Sequence, residues 1–169
     1  MATQTQPTTE LGHYIAAFER EYEITLRVLK AYPASQAKLR FADRSQTASE
    51  IAWTLVISQA VIEPILKEPS LSQQAPPPVP GDWHQLVAAF EKAHADATKA
   101  LGKLTDGVFQ SPITMPVGPK LTAPVRRADA LWMMLFDTVH HRGQFSVYLR
   151  ASGAKVPSIY GGSGDEPWS

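Results

Sequence analysis

Residues 125–152, VRRADALWMMLFDTVHHRGQFSVYLRAS, read as one helix of about eight turns. No proline interrupts them, and Gly153 follows where a left-handed residue would end the helix. The LWMMLF segment is apolar nearly all round, as in a helix that is central in a bundle or shared with a partner subunit. A polar cluster follows it: Asp137, His140, His141, Arg142 and Gln144. Asp137 and His141 are four apart, so they stack on one helix face. Met134, Thr138, Phe145 and Tyr148 belong to the same side, which is expected to point inward. His140 is turned about 100° away, with Met133, Phe136 and Val147.

Three more helices are expected upstream. Leu11, Ile15, Phe18, Tyr22, Leu26 and Leu29 recur at helical spacing between Thr9 and Ala31, and Pro33 closes the element. Thr47-Ala48-Ser49-Glu50 is a capping box that opens a second helix carrying Ile51, Thr54, Ile57, Val61 and Ile65. Pro64 within it removes a backbone donor, which predicts a break near Ala60. Asp82 caps a third helix striped with Trp83, Leu86, Val87, Phe90, Ala97, Leu101 and Leu104, opposite Glu91, Lys92, Lys99 and Lys103. Between the second and third helices runs a proline-rich linker, residues 67–81, expected to cross one end of the bundle. Residues 105–124 read as a loop or a short irregular hairpin with no credible strand pair, and 154–169 as an extended tail over the bundle. The fold class expected is all-α: a four-helix bundle with long crossover connections, after the first and second helices, in a single domain over residues 1–169.

Composition narrows the function. Sixteen basic residues balance sixteen acidic ones, so no basic face invites nucleic acid. The chain has no cysteine, which excludes disulfides, a thiolate nucleophile and a thiolate zinc site. A chain of 169 residues buries roughly 68–70% of its unfolded surface, so a metal would serve chemistry and not folding. The polar N-terminus does not read as a signal peptide, and the apolar run from Ala130 to Phe136 is too short to span a bilayer. A soluble cytoplasmic protein without membrane or nucleic-acid partners is expected.

A carboxylate and an imidazole one turn apart can share a divalent metal, or the carboxylate can simply orient the ring. Either use fits Asp137 and His141. His94 falls on an apolar stripe and reads as a satisfied core histidine, while His13 and His84 lie in first turns and read as surface residues. Arg126 and Arg127 read as a solvated helix start. Ser58 is near the inward face of the second helix with no base placed beside it, and the chain contains no nucleophile elbow, P-loop, dinucleotide fingerprint or H-E-x-x-H.

FDTVHHRGQFSVYLRASGAKVPSIYGGSGDE resembles the C-terminal helix and tail of DinB-like proteins, with their HRGQ, YLR and VP-x-IYG motifs. SEIAWTLVISQAVIEPIL and the first helix ending in KAYP resemble the same family. The resemblance implies a four-helix bundle, commonly homodimeric, that holds nickel or zinc on three histidines. By motif, His141 is the retained ligand, Asp137 replaces a second and Thr54 the third. A threonine hydroxyl is a poor ligand for such metals. The expectation favoured is a degenerate metal pocket lined by Thr54, Ser58, Thr138 and Tyr148, with no metal tightly bound. It would serve as a small-molecule binding site or a structural dimer. The other is a divergent metal-dependent enzyme, a thiol-dependent transferase or hydrolase, using Asp137 and His141 with His140 or water.

Overall fold

The computed structural model describes residues 7–72 and 74–168. The polar N-terminal residues before Pro7, Gln73 in the linker and the last residue of the tail lie outside them. Helix α1 spans Glu10–Ala31, and a short 3-10 turn follows at Ala34–Gln36. Helix α2 spans Ala48–Ala60 and α3 Ile62–Lys67; α4 is Trp83–Leu101, α5 Asp106–Gln110, and α6 Arg127–Ala151. Strands β1 (Pro112–Gly118) and β2 (Leu121–Arg126) pair antiparallel between α5 and α6.

Local chemistry sets most of these limits. The Thr47 hydroxyl accepts from the Glu50 amide while the Glu50 carboxylate accepts from the Thr47 amide, closing the capping box. Asp82 caps α4 through the Gln85 amide at 2.9 Å. The break before Pro64 falls at Val61, because the ring cannot donate to the carbonyl one turn earlier. Gly153 takes φ +80° just past α6, where a side chain would be strained.

The strand pair is the short irregular hairpin that the sequence leaves open, and it corrects only the expectation that no strand pair forms. Prolines at 112, 116, 119 and 124 make the segment look unfit for a sheet, yet an isolated ribbon tolerates a missing donor on its open edges. The period of two was present: Ile113 and Met115 are buried and Thr114 between them is exposed. The molecule therefore carries a hairpin beside an otherwise helical bundle.

The core divides into two apolar clusters. A lower one gathers Leu11, Tyr14 and Phe18 of α1, Ile62 and Ile65 of α3, Leu101, and Ala128 to Leu135 of α6. An upper one gathers Val28 and Leu29, Ile51 to Val56, Trp83 to Phe90, and Phe145 to Leu149. Cluster membership gives the directions: α1 and α6 run upward, and α2 with α3, and α4, run downward. Helix α2 packs on α4 and α6, and α1 packs on the same two, so α1 and α2 occupy opposite corners. The long connection after α1 therefore crosses the upper end of the bundle, the long connection expected after the second helix is also present, and a further crossing, of the lower end, follows α4.

The linker also differs from expectation. It returns along the length of the bundle, because α3 ends low and α4 begins high. Leu71 packs on the lower cluster and Val79 on the upper. An extended proline-rich chain advances about 3.1 Å per residue, ample to span a 19-residue helix of about 28 Å. Leu71 donates to Thr114 of β1, and the Trp53 indole donates to the Pro77 carbonyl, so both walls hold it.

The stretch Ala48–Lys67 is long and apolar enough to cross a membrane by composition, contrary to the reading that singled out Ala130–Phe136. Half of it is buried inside the bundle, and the break at Val61 divides it, which marks it as core helix.

Candidate functional site

Between the two apolar clusters lies a belt of buried polar side chains: Glu21 and Thr25 of α1, Ser58 and Gln59 of α2, His94 of α4, Thr138 and Arg142 of α6. Buried polar groups are nearly always hydrogen-bonded, and each of these has a partner.

On the α2–α6 side, the Ser58 hydroxyl lies 2.9 Å from Asp137 Oδ2 and 3.0 Å from the Thr54 carbonyl. Asp137 Oδ1 is 3.3 Å from His141 Nε2. His141 Nδ1 is 2.9 Å from Gln144 Oε1, and Gln144 Nε2 donates to His140 Nε2 at 3.1 Å. Hydrogen bonds thus join Ser58 to Asp137 and link His141, Gln144 and His140, with Asp137 and His141 in 3.3 Å contact between the two groups. The carboxylate beside Ser58 is a neighbour that sequence could not supply, since it is 79 residues away.

The remaining residues expected at the pocket are dispersed. The Thr54 hydroxyl donates to the Glu50 carbonyl of its own helix, and Thr138 does the same to Met134. The Tyr148 hydroxyl donates to the Gln46 carbonyl in the α1–α2 connector, and Phe41 packs edge-on against its ring. Thr54 lines a groove of about 520 Å³ with Arg40, Arg44, Trp53, Ile57 and the linker prolines. Asp137, His141, Ser58 and Tyr148 do not line it. Asp137 and His141 keep 37% and 19% side-chain exposure, so they flank the buried face of α6 and do not lie at its centre.

The centre of that face is Arg142, fully buried. Its Nη1 donates to Glu21 Oε2 at 2.7 Å and to Thr25, and its Nη2 donates to the Tyr160 hydroxyl at 2.6 Å. Tyr160 in turn donates to Glu21 Oε2 at 2.7 Å. Burial would push the Glu21 carboxyl up, but the hydrogen bonds from Tyr160 and Arg142 and the guanidinium charge hold it below its ordinary value. Sequence reasoning grouped Arg142 with its polar neighbours, since an arginine on an inward face reads as solvated. The signal available was its place four residues after Thr138 and three before Phe145, both buried.

His94 is the core histidine expected: its Nε2 lies 3.0 Å from Glu19 Oε2 and its ring stacks on Tyr22. His13 and His84 are exposed as expected. Arg127 is not part of a solvated helix start. It is buried and donates to the carbonyls of Ile65 and Glu68, closing the C-terminal end of α3.

A family profile described as the DinB superfamily matches residues 17–145, most of the chain. The chain belongs to the DinB superfamily. An uncharacterised relative, YrdA of Bacillus subtilis strain 168, is 28% identical over 160 residues, 92% of this chain and 91% of its own length. Among solved structures, a DinB-like protein of Bacillus cereus ATCC 10987 superposes with a TM-score of 0.72 at 20% identity, over 87% of this chain and 95% of that one. The DinB-like protein YjoA of Bacillus subtilis gives 0.68 at 17% identity, over 85% and 93%. At such identities these structures establish the DinB-like fold alone.

The metal that the DinB resemblance implies does not fit this donor set. Among the described residues, no three histidine, aspartate or glutamate side chains converge as a metal site would require. Asp137 and His141 lie 3.3 Å apart and each hydrogen-bonds a further side chain, Ser58 and Gln144 respectively, and the Thr54 hydroxyl is engaged on its own helix.

Proposed function

We propose that this DinB protein is a cytoplasmic, metal-independent small-molecule-binding homodimer in which the ancestral metal pocket has become a polar hydrogen-bonded site. One observation supports the reading: both Asp137 oxygens face protein side chains, the Ser58 hydroxyl 2.9 Å from Oδ2 and His141 Nε2 3.3 Å from Oδ1. A metal would have to displace both and would gain only one imidazole, short of the three-ligand sites that zinc favours. The pair forms a polar edge with His141 steadied by Gln144, and the groove large enough for a small ligand is a separate one, lined by Thr54 from the same helix as Ser58.

Elemental analysis of untagged, chelator-free protein, before and after a divalent-metal soak, tests this. Less than stoichiometric metal in both samples, unchanged in His141→Ala, is expected. One tightly held nickel or zinc per chain, lost in that variant, overturns it and reinstates the metalloenzyme.

The dimer rests on the outer face of α6. Met133, Phe136 and Val147 are exposed, and with His140 they recur at intervals of three, four and seven residues, which keeps them on one helix face as in a helix-pairing seam. Light scattering at micromolar concentration should give twice the chain mass, and Phe136→Asp should return the monomer. A monomeric mass for the unaltered chain overturns the dimer.

A further inference from the structure

A second cleft, remote from Asp137 and His141, opens between α3, α4 and α5. It measures about 410 Å³ and is lined by Leu66, Ala100, Leu104 and Val108 together with the charged residues Glu63, Lys67, Asp96, Lys99 and Lys103. Val108 is a large apolar side chain left 41% exposed there. The volume lies within the range of small-molecule pockets.

Its charges are not evenly matched. Glu63 is paired with Lys67 one turn on, and Asp96 with Lys92 at 2.6 Å. Both carboxylates of the lining are therefore neutralised by a lysine of their own helix. Lys99 and Lys103 have no carboxylate within ion-pair distance among the described residues. Lys99 lies in the last turn of α4 and Lys103 just beyond its end, and both line the cleft, so an anion between them would be attracted by both ammonium groups. An apolar wall with two free ammonium groups at its rim is complementary to a molecule with an aliphatic body and one acidic end.

We propose that this cleft binds a medium-chain carboxylate, with the chain against Leu66, Leu104 and Val108 and the carboxylate between Lys99 and Lys103. The site is separate from the α2–α6 site and stands whether or not that reading holds.

Isothermal titration of the full chain with octanoate, and with octan-1-ol as the uncharged control, tests it. Saturable octanoate binding at least about tenfold tighter than octanol is expected, with the preference lost in Lys99→Ala/Lys103→Ala. Val108→Asp, an exposed position that folding should tolerate, is expected to abolish octanoate binding. Circular dichroism checks that both variants fold. Equal affinity for the alcohol, affinity unchanged in the variants, or no saturable heat at millimolar octanoate overturns the proposal. Co-sedimentation with phosphatidylglycerol vesicles without octanoate binding reassigns the cleft to a membrane surface and overturns it too.

Discussion

Tyr14 is the residue whose chemistry is least reconciled with its place. Its ring packs among Phe18, Phe109 and Trp132 with no exposure, and its hydroxyl has no hydrogen-bond partner among the described residues. An unmet buried hydroxyl costs about 1–3 kcal/mol, so Tyr14→Phe should stabilise the protein by about 1 kcal/mol or more in urea unfolding. His94 is the opposite case, fully partnered but titratable. Burial lowers its pKa, and the Glu19 carboxylate only partly offsets this. A folded pKa below the unfolded value means that folding favours the neutral ring. The contribution is therefore present above about pH 6.5 and is lost as the pH falls through the folded pKa. Stability measured from neutral pH downward should decline in that window, and His94→Phe should remove the decline.

At the scale of elements, the ends of helices were the most legible feature. Thr47 with Glu50, Asp82, the break before Pro64 and Gly153 all act through bonds within a few residues, so the local sequence suffices. Gly153→Ala should cost about 1 kcal/mol in thermal unfolding, since φ +80° strains any side chain. Strands β1 and β2 were harder to see, because their prolines conceal an alternation that pairing alone makes decisive. The linker's proline content was plain, but its path along the bundle depends on the directions of α3 and α4, which composition does not encode.

For the whole molecule, the tail is held by more than its apolar residues. Ala154, Val156 and Ile159 pack on the upper cluster, Arg27 donates to the Ser158 carbonyl, and Arg150 pairs with Asp165 at 2.7 Å. Tyr160 joins the tail to the buried Arg142–Glu21 pair. Removing Arg142 leaves buried Glu21 with only the exposed Arg20, 3.3 Å away, as a cation, so Arg142→Ala should cost about 3 kcal/mol in urea unfolding. The smaller change Tyr160→Phe should leave the fold intact and expose the tail to limited proteolysis. Because the Glu21 pKa is lowered on folding, its contribution is present above the ordinary glutamate pKa of about 4.3 and is lost as the pH falls through the folded one.

The sequence by itself determined the long helices, the caps at Thr47–Glu50, Asp82 and Gly153 and the Asp137–His141 pair, because each follows from periodicity or from contacts within one or two turns. By contrast, α5 formed in a segment read as loop or hairpin, and the α2 stripe through Thr54 and Ile57 is only half-buried. Tertiary structure decided the rest: that Ser58 meets Asp137, that Arg142 and not His141 holds the centre of α6, and that Tyr160 reaches Glu21 across 139 residues. These contacts join different elements, and only the packing of the bundle fixes which polar groups face one another once water is excluded.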